Sequence, residues 1–154
     1  MTNGPTSTAD RVDLEQARKL IAKIWFIGGG ISFFLVIFQS IIGRFEGIAQ
    51  EMWAWFTPTI VPTLGLIIGV LASTASEDDS GRTVRRFFYH CAIGLSAVYL
   101  ATLLLTMLLE PLAGSHNMQY YHFANYWLTP VQGLVVAALG ALFNSRKKTE
   151  GSAS

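Results

Sequence analysis

Apolar residues gather along this chain into four long blocks separated by short polar segments. The blocks run from Ile24 to Ile42, Trp53 to Ser73, Phe87 to Leu109 and Tyr126 to Phe143. A bilayer asks for about 20 consecutive, mostly apolar residues per helical span. Each block has that length, so the pattern predicts four transmembrane helices and an all-α membrane protein built as two hairpins. The expected organisation is a cytoplasmic arm over residues 1–23, a four-helix domain over 24–144 and a flexible cytoplasmic tail over 145–154.

The polar segments refine this outline. Met1 to Thr8 are small and polar, and disorder is expected there. From Asp10 to Leu20 acids precede bases, an order that suits a helix dipole and predicts a solvated helical lead-in to span one. The loop Ser76-Glu77-Asp78-Asp79-Ser80-Gly81-Arg82 lacks the alternating acids and distal glutamate of a calcium loop, and reads as a cap for span three. Trp53, Trp55, Tyr126 and Trp127 fall at one predicted boundary, where ring and polar handle suit an aromatic belt. Trp55-Phe56-Thr57-Pro58 is echoed by Trp127-Leu128-Thr129-Pro130, and Gly30-x-Ser32 by Gly94-x-Ser96. The echo suggests two hairpins in tandem.

Composition agrees. The 154 residues are 51% hydrophobic and 14% charged, with mean hydropathy +0.41. Soluble domains carry about 25% charged residues. A disordered chain, a disulfide scaffold and an ordinary soluble enzyme are therefore excluded. The single cysteine, Cys91, forms no intramolecular bridge.

Charge distribution adds orientation. Of the eleven Lys and Arg residues, only Arg44 falls between spans one and two or between spans three and four. Cytoplasmic loops carry the basic excess, so both termini and the middle loop are expected inside, in a bacterial inner membrane.

Each span carries small or polar residues in stripes. Gly28, Ser32 and Gln39 align on span one; Pro58, Pro62, Gly65 and Gly69 on span two; Thr129, Gly133, Gly140 and Asn144 on span four. Span three has one face with Gly94 and another with Ser96, Tyr99, Thr106 and Glu110. Small residues let helices approach closely where lipid gives no hydrophobic drive. Gly28, Ser32, Gly65, Gly69, Gly94, Gly133 and Gly140 are thus expected at helix packing surfaces. Gln39, Thr59, Thr63, Thr129, Gln132 and Asn144 could instead line a pore or cavity. Pro62 should kink span two or leave a carbonyl free, whereas Pro58 suits a helix start.

Catalytic chemistry is poorly represented. No charge occupies the middle of a predicted span, which argues against proton-coupled transport. Glu110, followed by Pro111, reads as a solvated carboxylate at a helix end. With His116 and His122 it makes only a weak metal set. No nucleophile elbow, carboxylate dyad or phosphate loop is present. The expectation is a non-catalytic membrane protein without cofactor, in contact with membrane lipid and with further copies or other membrane subunits, and not with nucleic acid. An oligomeric channel, and a metal- or cofactor-dependent enzyme acting through the outer loop, are the alternatives.

Overall fold

The computed structural model describes residues 11–74, 83–110 and 118–143. The expected disordered start, the acidic inner loop and the tail lie outside the described residues, as do His116 and Asn144. Two short strands and four helices follow in order: β1 Arg11–Asp13, α1 Leu14–Ile41, α2 Ala49–Thr74, β2 Thr83–Arg85, α3 Arg86–Leu109 and α4 Gln119–Phe143.

All four helices are long and apolar enough to cross a membrane. Their outward faces carry large apolar side chains: Phe34 is 71% exposed, Ile41 78% and Phe87 69%. Side chains of that kind, left outside four such helices, mark an integral membrane protein.

Helix α1 begins before the apolar block does. Asp13 is its N-cap, accepting from the Glu15 N–H at 2.9 Å, and the helix runs for 28 residues without a break. Residues 11–13 are extended instead of helical, and pair antiparallel with β2 in the register Arg11↔Arg85, Val12↔Val84, Asp13↔Thr83. This ribbon ties the starts of α1 and α3 together at one end of the bundle, called here the entry end. The lead-in is also less solvated than expected. Arg18 is buried, donates to the Phe143 carbonyl at 3.1 Å and lies 5.9 Å from that ring's centre. A cation there serves the last carbonyls of α4, where the helix dipole is negative.

At the far end, α1 closes in a Schellman motif. Gly43, with φ +75, donates to the Ser40 carbonyl at 3.2 Å, and Arg44 to that of Gln39 at 2.9 Å. The left-handed glycine turns the chain back, so that Phe45 is buried, edge-on to Tyr121 at 6.4 Å.

Around the bundle, α1 packs against α2 and α3, and α4 against α3 and α2. Trp25, Tyr99, Leu103, Ile67 and Leu139 are fully buried between them. Trp25 and Tyr99 stack with ring centres 5.7 Å apart.

Candidate functional site

The stripes seen in the sequence separate into two kinds. The polar ones turn inward: Ser32, Gln39, Thr59, Thr63, Ser96, Thr106 and Glu110 are all buried. The small ones largely turn outward. A methyl group placed on Gly65, Gly69, Gly94, Gly133 or Gly140 would meet nothing within 4 Å. Gly28 differs, since a Cβ there would lie 2.7 Å from Leu100 Cδ1. Close approach inside the chain is therefore made at Gly28, and the other five glycines leave open surface.

Some polar side chains tie helices together and others bond within their own helix. Gln39 donates to the Met107 carbonyl at 3.3 Å, joining α1 to α3, and Ser32 donates to the Gly28 carbonyl of its own helix at 2.9 Å. The densest set surrounds the proline turns of α2. Pro58 and Pro62 lie well inside a helix that starts at Ala49, so Pro58 is not the helix-start residue expected from the sequence. Pro62 has no N–H to offer the Pro58 carbonyl four residues back. Gln132 of α4 supplies the donor instead, at 3.0 Å, and reaches the Thr59 carbonyl at 3.2 Å. Tyr99 of α3 donates to that same Thr59 carbonyl at 2.7 Å. Thr59 itself donates to the Phe56 carbonyl. Thr63 and Ser96 are fully buried, and their hydroxyls have no protein partner.

The far end holds an ion pair. Glu110 is only 3% exposed, with Oε2 lying 3.5 Å from Arg44 Nε, so it is not the solvated carboxylate expected from the sequence. The turn at Gly43 brings Arg44 to it from the opposite hairpin. His122 is exposed on α4, apart from this burial, and no group of three or more His, Cys, Asp or Glu suited to a metal occurs among the described residues.

Between α2 and α4 lies a cleft of about 370 Å³ whose walls include Glu51, Trp55, His122, Asn125, Thr129 and Gln132. Trp55 is buried and donates to Asn125 Oδ1 at 2.9 Å, so it belongs to this seam and not to an aromatic belt. Tyr126 and Trp127 do remain exposed. The cleft unites Thr59, Thr129 and Gln132 of the polar set, while Gln39 lies elsewhere, against α3. Glu51, Trp55 and Asn125 were not singled out as a site from sequence. For Asn125 the signal was present in spacing, since His122, Asn125, Thr129 and Gln132 recur every three or four residues on one face of α4.

Comparison with protein-family models, curated proteins and solved structures finds no match.

Proposed function

We propose that this chain is a non-catalytic four-helix membrane protein that self-associates or serves as a subunit of a larger membrane complex. The observation that carries the reading is the open surface at Gly65 and Gly69 on α2 and at Gly133 and Gly140 on α4. Lipid tails are as apolar as leucine, so exposed glycines gain little from lipid and much from a second helix that can approach closely. Orientation completes the reading: the entry end faces the cytoplasm of a bacterial inner membrane, as the basic residues imply.

Native mass spectrometry in mild detergent tests the association. Replacing Gly65 and Gly69, or Gly133 and Gly140, by leucine should shift oligomers or co-purified subunits toward the single chain without lowering its thermal stability. An unchanged distribution with both pairs would sink the proposal. Orientation is checked in a Cys91→Ala background: an impermeant maleimide should label Glu46→Cys in intact cells, and Gln16→Cys only after permeabilisation.

A pore draws less support. Gln39, Thr59 and Gln132 direct their donors to backbone carbonyls inside one bundle and leave little to line an axial path.

A further inference from the structure

The cleft between α2 and α4 is lined by none of these glycines. Its volume of about 370 Å³ is that of a small-molecule site, where about 300–1,000 Å³ is usual. One water accounts for only about 30 Å³ of liquid volume. The cleft also reaches into the apolar block: Gln132 lies about 9 Å along α4 from Tyr126, where that block begins, at 1.5 Å per residue. Polar walls at that depth are costly against lipid tails and suit a polar occupant.

We infer that this cleft binds the ammonium group of a small organic molecule. Charge is the first reason: Glu51 lines it, while among the described residues no Lys or Arg does. The second is a carbonyl on the α2 wall that lacks its helical donor. Pro58 cannot give an N–H to the Ala54 carbonyl, and both residues line the cleft. Two donors on the cleft wall are already engaged, Trp55 with Asn125 and Gln132 with the Pro58 and Thr59 carbonyls. The starts of α2 and α4 do favour negative charge at the mouth. That effect amounts to about half a charge and fades within the first turn, and Glu51 already stands in the first turn of α2. Deeper in, the acceptors decide.

Two sources share this chemistry: an ethanolamine lipid headgroup and a free aqueous amine. Calorimetric titration of the full chain in phosphatidylglycerol nanodiscs, using phenethylammonium with phenylacetate as the anionic control, tests the site. The cation should bind saturably and the anion should not. Glu51→Gln should weaken binding about tenfold or more, the usual effect of losing a charge-assisted contact. Thr129→Leu, which fills the cleft and leaves the carboxylate in place, should weaken it too. Both positions are exposed, so thermal stability should stay level and separate lost binding from lost fold. In phosphatidylethanolamine nanodiscs, a fall in apparent affinity supports the site with the lipid headgroup as occupant; unchanged affinity supports it with the aqueous amine. Absence of saturable binding in either lipid, equal binding of phenylacetate, or cation binding undiminished by Glu51→Gln overturns the inference.

Discussion

Gln132 on α4 donates its side-chain amide to the carbonyl of Pro58 on α2, 3.0 Å away, the carbonyl that Pro62 is unable to serve. A break in one helix is thereby mended by the side chain of another, and the two hairpins are joined at the mend. Side-chain hydrogen bonds in membrane proteins are worth about 0.6 kcal/mol on average and about 1.7 at most. Gln132→Leu should therefore destabilise the bundle by about 1 kcal/mol in reversible detergent unfolding. Pro62→Ala restores the missing N–H, so in that background the same replacement should do clearly less harm. Equal cost in both backgrounds would show that the amide does not stand in for the proline.

Tyr99 and Thr63 make a contrasting pair in the same core. Tyr99→Phe removes a donor from the Thr59 carbonyl and should lower stability by about 1 kcal/mol. Thr63→Val removes a buried hydroxyl that has no protein partner, and keeps the shape. It should be neutral or stabilising within about 0.5 kcal/mol. The reverse order in thermal unfolding would contradict the hydrogen bonding described.

Gly28 and Gly30, two residues apart on α1, face different surroundings. Gly28→Leu must displace Leu100, whose Cδ1 lies 2.7 Å from the added Cβ. Overpacking of this kind costs about 1–3 kcal/mol. Gly30→Leu enters open space and should leave single-chain stability nearly unchanged. Leu100→Ala should recover part of the Gly28→Leu loss, a coupling read from a double-mutant cycle.

The Arg44–Glu110 pair should behave as a unit. Breaking a fully buried pair costs about 3–5 kcal/mol through the charge left behind. Arg44 retains 26% side-chain exposure, so Arg44→Met should fall below that range, at about 2 kcal/mol. Removing both charges, with Arg44→Met and Glu110→Leu together, should restore most of the loss in thermal unfolding. A double variant as weak as the single one would show that the pair is not coupled.

Much of this architecture was legible along the chain. Four apolar blocks of bilayer length became four helices because block length and continuity are local properties, and the hydrocarbon core leaves a helix as the simple way to satisfy each backbone group. Helix ends were less legible. Helix α4 starts at Gln119 and α2 at Ala49, ahead of the apolar blocks, because polar residues continue a helix freely once it has left the hydrocarbon.

The stripes of small and polar residues were equally visible, but not which way each would face. In water the contrast between core and solvent settles that question. In lipid it does not, since glycine and leucine suit either side. Only the packed helices decided it: Thr59, Ser96 and Gln39 went inward and Gly65, Gly69 and Gly133 outward. The donor for the carbonyl freed by Pro62 was likewise undecided, because it arrives from Gln132, 74 residues beyond Pro58. The same holds for Glu110, whose partner Arg44 is delivered by the Gly43 turn. Sequence by itself determined what is local, namely the number of apolar blocks and the helices they form. Tertiary structure decided the pairings, because each joins residues that become neighbours only when the helices pack.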